Sequence, residues 1–204
     1  MIFEFYCDES HDNPKVRKTE PKNYVVGGFF GSERAWRRVE SCWASKNERV
    51  NVLRFHAAHL NAGTYEYEGW GENRRLRYSK DMLRIIKDQK QKLHGFAYGI
   101  HVDDYRRIIS SDGQRKMGHP YLVCFKAAIA SVAQQMDMFG FPKEDKVAVL
   151  IDHNAEEINI GSQRFRLDAA AVNVFNETRD SPACTYRHRL ATCTPGASED
   201  FVCL

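Results

Sequence analysis

Residues Ile2 to Ser10 read Ile-Phe-Glu-Phe-Tyr-Cys-Asp-Glu-Ser, an aromatic and β-branched run that stops on two carboxylates and a hydroxyl. Ile2, Phe3, Phe5 and Tyr6 favour a strand, whereas Asp8, Glu9 and Ser10 disfavour its continuation. A second run, Val147 to Ile151, is continuously apolar, the pattern of a strand covered on both faces, and it too ends on a carboxylate, Asp152. Strands of this kind commit the chain to a buried sheet. In an α/β sheet the carboxyl ends of central strands are where helices splay apart and ligands bind, which makes Asp8 and Asp152 the first candidates for chemistry. The plainer reading of Asp8 and Ser10 is the start of a turn, because both residue types bond their own backbone there.

The remaining chain supplies the other layers. Residues 11–23 hold two prolines and four cations and little that is apolar, so they read as a loop joining the first strand to a second, Tyr24 to Gly31. The simplest connection is a hairpin, and the Gly27-Gly28 pair predicts close approach of a neighbouring backbone or a bulge. Ser32 caps a helix with Trp36, Val39 and Trp43 at helical spacing. Leu60 to Gly71 reads as a loop that Trp70 anchors, and Arg74 to Lys92 as a basic helix with Leu76, Leu83 and Ile86 on its apolar stripe. Leu93 to Val102 alternates as a strand with Phe96, Tyr98, Ile100 and Val102 on one face, and Asp103 caps a short helix. The clearest helix is Pro120 to Phe139, with Leu122, Phe125, Ile129, Val132, Met136 and Phe139 as its stripe, ended by Gly140 and Pro142. A further helical pattern carries Ile158, Phe165, Ala169, Val172 and Phe175, and Arg187 to Thr194 is a last edge strand.

These elements predict one α/β domain over residues 1–204, large enough for a sizeable core. A charge of +3, from 30 Lys and Arg against 27 Asp and Glu, permits a polyanionic partner without requiring one. The six cysteines, at 7, 42, 124, 184, 193 and 203, form no Cys-x-x-Cys pair, and Cys7 and Cys124 sit in apolar segments as small core hydrophobes. Together with the lack of a signal-peptide pattern or a membrane-length apolar run, this predicts a cytoplasmic protein without a membrane partner. Oligomeric state is not legible.

If the two acid-ending strands are neighbours, Asp8 and Asp152 meet at one rim of the sheet, where like charges repel unless a cation lies between them. A hard divalent ion, Mg²⁺ or Mn²⁺, suits oxygen ligands and retained waters, and such sites support phosphodiester cleavage. The histidines at 56, 59, 94, 101, 119 and 153 lack the His-Glu-x-x-His pattern, so ordinary hydrogen-bonded histidines are expected over a zinc site.

The opening Phe-Tyr-Cys-Asp-Glu-Ser, the Tyr-Val-Val-Gly-Gly-Phe-Phe-Gly strand, the Arg-Phe-His-Ala turn near position 56 and Leu-Ile-Asp-His-Asn near position 152 together resemble the bacterial and phage family called domain of unknown function 3800. The resemblance runs over most of the chain. It implies a ribonuclease H-like fold, with a mixed central β-sheet flanked by helices, and a metal-dependent nuclease-type site. Asp8 takes the place of the family's first-strand acid, with Glu9 as auxiliary and Ser10 beside it, and Asp152 takes that of the carboxylate ending the later strand. His56 falls where the family often has a histidine, to contact a phosphate or shuttle a proton. Two departures stand out. The family has Gly after Ser10, where this chain has His11. It also continues past the counterpart of Glu199 to Leu204 into a helix ending in an Asp, so this chain reads as truncated or lacking that ligand, with Glu199 or Asp200 as the stand-in.

The expected activity is hydrolysis of nucleic acid by Asp8, Glu9, His56 and Asp152, with Asp8 and Asp152 as ligands of Mg²⁺ or Mn²⁺ and with Ser10, His153, Arg34 and Arg38 contacting substrate. The alternative is a catalytically incomplete module of the same fold that binds nucleic acid or protein. Basic groups at Lys15, Arg17 and Lys18, at Arg34, Arg37 and Arg38, and at Arg74, Arg75 and Arg77 could track a phosphate backbone, with Trp36 or Trp70 as a stacking face. Each group taken singly reads as an ordinary solvated face.

Overall fold

The computed structural model describes residues 1–11, 21–142, 144–151, 157–160, 163–166 and 190–195. In chain order its elements are β1 (Ile2–His11), β2 (Asn23–Ser32), α1 (Glu33–Val50), α2 (Ala57–Ala62), a 3-10 turn (Tyr65–Tyr67), α3 (Glu72–Lys87), β3 (Leu93–His101), α4 (Val102–Ile108), α5 (Ser111–Met117), α6 (Pro120–Met138), β4 (Lys146–Ile151), β5 (Glu157–Ile160), β6 (Gln163–Arg166) and β7 (Leu190–Pro195). Five strands form one sheet in the order β3-β2-β1-β4-β7, and β5 and β6 form a separate antiparallel pair. The chain divides into two compact units, whose described parts are residues 1–30 with 95–195 and residues 31–94.

The sheet is mixed. β4 lies parallel to both β1 and β7, with Phe3, Phe5 and Cys7 opposite Val147, Val149 and Ile151. β2 and β3 run antiparallel: Gly27 faces Phe96 and Ala97, and Gly99 faces Tyr24 and Val25. The expected close approach occurs at Gly28, where a Cβ would stand 2.1 Å from the Tyr6 carbonyl oxygen and 2.8 Å from Cys7 Cα. Only a residue without a side chain fits there.

Alternation assigns the two faces of β1. Phe3, Phe5 and Cys7 join Val147, Val149 and Ile151 against α6, whose Tyr121, Cys124, Phe125, Ala128, Ile129, Val132 and Met136 are buried in the same cluster. Phe3 stacks on Phe30 at 5.3 Å between centroids, and Phe5 meets Phe96 edge-on at 6.2 Å. Pro120 opens α6, where its missing N–H costs nothing, and the His119 side chain caps it by accepting the Tyr121 N–H. Gly140, at φ +66°, follows its end. Truncating a fully enclosed ring such as Phe125 costs about 3–5 kcal/mol in a core of this density. Cys7 and Cys124 are buried free thiols, as expected.

In the unit of residues 31–94, Ser32 caps α1 by accepting the Ala35 N–H, and α1 packs on α3. Trp43 Nε1 donates to the Met82 carbonyl, Tyr78 Oη donates to Asn47 Oδ1, and Phe55 sits between the Trp43 and Tyr78 rings. Trp70 packs edge-on to Tyr67 and Tyr78 with the Arg74 guanidinium 3.8 Å from its ring centroid. That is the anchoring expected of it.

Several expectations are corrected. β1 does not stop at Asp8 but continues to His11, because ladder pairing outweighs the weak strand preference of Asp, Glu and Ser. Neither does a turn begin at Asp8. Leu60 to Gly71 is not all loop: it contains the second half of α2 and the 3-10 turn, whose Leu60 and Tyr67 side chains are buried. α3 buries Ile86, as expected, together with Tyr78 and Met82, whereas Leu76 and Leu83 are exposed, so the apolar stripe is turned from the one expected. His101, not Asp103, is the cap residue of α4, which takes in Val102, and α5 went unread. Phe139 lies past the end of α6 and is exposed. The helical pattern through Ile158 and Phe165 is instead the β5-β6 pair, since a period set by only a few apolar positions fits either element. Ala169, Val172 and Phe175 lie outside the described residues. β7 stands at a sheet edge, as read. Among the described residues no helix is long and apolar enough to cross a membrane.

Candidate active site

From β1 the chain steps outward to β2 and β3, then returns through α6 to the other side of β1 as β4, with β7 beyond. The strand order therefore reverses between β1 and β4. Because these two strands are parallel, their carboxyl ends open on the same rim, and the carboxyl ends of strands at such a reversal are where open α/β sheets bind ligands. Cys7 pairs with Ile151, the last described residue of β4, and Asp8 is the next residue along β1.

Asp8 is half-buried and shares the β1 face opposite the core with Glu4, Tyr6 and Ser10. Tyr6 Oη donates to Glu4 Oε2 at 3.2 Å, so this face carries carboxylates and a phenol where the other carries only apolar groups and a thiol. Glu4 and Tyr6 were not among the expected site residues, although the period-two alternation of β1 places them on the same side as Asp8. Ser10 is exposed. The side chain of Glu9, and the whole of Asp152, His153, Glu199 and Asp200, lie outside what is described.

The other expected residues belong to the unit of residues 31–94. His56 is the cap residue of α2: its Nδ1 accepts the His59 backbone N–H at 3.4 Å, which assigns the neutral ring's proton to Nε2. Its backbone N–H donates to Tyr67 Oη at 3.1 Å, and that hydroxyl donates onward to the Arg54 carbonyl at 3.0 Å. Burial, the largest influence on the Tyr67 phenol, holds its pKa above the ordinary value. The His56 and His59 rings stack 3.7 Å apart and 9° from parallel, and Tyr65 stacks on His59 at 4.2 Å. Tyr65 adopts φ +56°, a conformation that strains a bulky residue. The stack was legible only as two histidines three apart. Arg34 and Arg38 are exposed on one face of α1, one helical turn from each other.

A hard divalent cation asks little of a protein: one or two carboxylates, with waters and substrate phosphates completing the shell. Asp8, a carboxylate on the rim at the strand reversal, is a donor of the right hardness. Among the described residues no three His, Cys, Asp or Glu side chains gather as a metal-holding group. His56 and His59 present stacked rings, with one nitrogen of His56 already accepting a backbone N–H, which is not a zinc-chelating arrangement.

No protein-family model matches the chain, and neither the curated proteins nor the solved structures contain a match to it.

Proposed function

We propose that this protein is a divalent-metal-dependent hydrolase of phosphodiester bonds in nucleic acid, built on a ribonuclease H-like version of its mixed sheet. The observation that carries this reading is the parallel pairing of β1 with β4 at the strand reversal, with Asp8 directly after the Cys7–Ile151 pair. Asp8 and Asp152 hold the cation. When bound, Mg²⁺ or Mn²⁺ supplies charge neutralisation for the scissile phosphate and lowers the pKa of a bound water. Asp8 would hold the ion together with Asp152, with Glu9 as the auxiliary carboxylate. Ser10 and His153, adjacent in sequence to the two aspartates, contact substrate; within the unit of residues 31–94, Arg34 and Arg38 contact nucleic-acid phosphates and His56 offers Nε2–H to a phosphate oxygen.

Purified protein incubated with single- and double-stranded DNA and RNA is expected to cleave at least one of them in Mn²⁺ or Mg²⁺ and none in EDTA. Asp8→Asn is expected to lose about a hundredfold or more in rate. Cleavage undiminished in Asp8→Asn overturns the reading. Binding that persists in EDTA, with no turnover when metal is restored, reassigns the protein as a binding module of the same fold.

A further inference from the structure

One surface of the 31–94 unit is far more basic than the chain around it. α3 carries six cations against two carboxylates, Glu72 and Asp81, an excess greater than the +3 of the whole protein. Asp81 is engaged by Lys46 of α1, with Arg84 at 3.9 Å. At about 100° per residue, Tyr78, Met82 and Ile86 define the buried direction of α3. Arg77, Lys80, Arg84 and Lys87 fall within an arc of about 80° centred on the opposite direction. All four are exposed, and among the described residues Arg77, Lys80 and Lys87 have no acidic partner. Three of them, Arg77, Lys80 and Arg84, also line a shallow groove of about 360 Å³ with Asn73, Leu76 and Asp81, the last being the carboxylate that Lys46 engages.

The spacing matters as much as the charge. From Arg77 to Lys87 the helix advances about 15 Å. One strand of duplex places a phosphate about every 3.4 Å along its axis, so about four phosphates occupy the length that these four cations span. A helix stabilised only by local ion pairing would alternate its signs at i,i+4, as α5 does where Asp112 pairs with Arg115 and Lys116. The outward arc of α3 instead holds one sign only. Self-repulsion along it is relieved by a polyanion.

We infer that the outward face of α3, through Arg77, Lys80, Arg84 and Lys87, is a docking surface for the sugar–phosphate backbone of a nucleic acid. The assignment rests on the nucleic-acid part of the proposed function but not on hydrolysis. The face binds without reading sequence, since point charges on phosphates carry no base information.

The test is a salt titration of binding in EDTA, using a labelled 30-nucleotide strand and the matching duplex. It compares the full chain with a variant carrying Arg77→Gln, Lys80→Gln, Arg84→Gln and Lys87→Gln. All four positions are exposed, so the variant is expected to keep the circular dichroism spectrum and unfolding midpoint of the parent. The slope of log K against log salt is expected to become shallower by about three, and affinity at low salt to fall at least tenfold. A control with Arg106→Gln, Arg107→Gln, Arg115→Gln and Lys116→Gln removes the same charge from α4 and α5 and is expected to leave the slope unchanged.

An unchanged slope in the α3 variant, an equal fall in the control, or a parent that binds neither oligonucleotide overturns the assignment. Binding to phosphatidylserine vesicles that depends on α3, with oligonucleotide binding unaffected, overturns it in favour of a membrane surface. A slope change without cleavage in Mn²⁺ supports this surface while removing the hydrolytic reading; cleavage with an unchanged slope does the reverse.

Discussion

Cys7 of β1 and Ile151 of β4 are register partners in a parallel pair, although they stand 144 positions apart in the chain. Their side chains face α6 in the core, so the next residue of β1, Asp8, faces the other way. The position of the candidate site follows from this pairing rather than from the carboxylate alone.

The pairing is sensitive to the strand on the far side of β1. Gly28→Ala is expected to destabilise the protein by about 2–3 kcal/mol or more, because a methyl group would overlap the Tyr6 carbonyl and the Cys7 Cα. Urea unfolding followed by circular dichroism measures this. A Gly28→Ala midpoint equal to that of the parent would show that β2 is not held so close to β1.

His56 has a structural duty and a proposed chemical one, and two substitutions separate them. His56→Asn retains a side chain able to cap α2, so stability is expected to stay within about 0.5 kcal/mol of the parent. Cleavage is expected to fall about a hundredfold, the scale of a lost hydrogen-bond donor to an oxygen that gathers charge in the reaction. His56→Ala is expected to lose about 1 kcal/mol in addition. Full cleavage by His56→Asn would confine the residue to capping.

Alkaline pH is expected to weaken the fold. Burial pushes the Cys124 thiol from its ordinary 9.0 up to about 11, and burial likewise raises the Tyr67 and Tyr78 phenols above their ordinary 10.0. Groups whose folded pKa is raised contribute stability that is fully present below the unfolded value and is lost as pH rises through the folded one. Stability is therefore expected to hold near neutral pH and to decline from about pH 9 upward, as the unfolded chain releases these protons first. Unfolding midpoints in urea between pH 7 and pH 11 test the sign. A rising midpoint would contradict it.

Tyr78 and Asn47 are expected to be energetically coupled. Both are buried, and the phenol donates to the amide oxygen. Asn47→Ala leaves the hydroxyl without that acceptor, at a cost of about 1–3 kcal/mol, whereas Asn47→Ala with Tyr78→Phe is expected to cost less than the two single changes together. A double-mutant cycle reads the coupling, and strict additivity would dismiss it.

The strands were legible where composition and neighbours agree. Val147 to Ile151 is a short, β-branched apolar run, too short for a buried helix, so β4 emerged with nearly its observed bounds, although only Val147, Val149 and Ile151 are fully buried and Ala148 and Leu150 are half-buried. α6 was equally clear because Pro120 and Gly140 mark the limits of a long period. Helix faces were less so: the inward turn of Ile86 was legible, but Leu76 and Leu83 are as apolar as Met82, and which of them turns inward depends on where Trp43, Asn47 and Phe55 stand. The candidate site divides in the same way. That Asp8 and Asp152 each follow an apolar run is written in the chain, whereas the adjacency of β1 and β4 is not.

Local chemistry thus specified the longer elements, though not α2, α5 or the β5-β6 pair: side-chain shape, period and capping act over a few residues and need no partner to be read. Strand order, the face each helix buries and hence the outward turn of the cationic arc of α3 came from packing. They depend on contacts between residues far apart in the chain, whose energies are set by which surfaces meet and not by either segment alone.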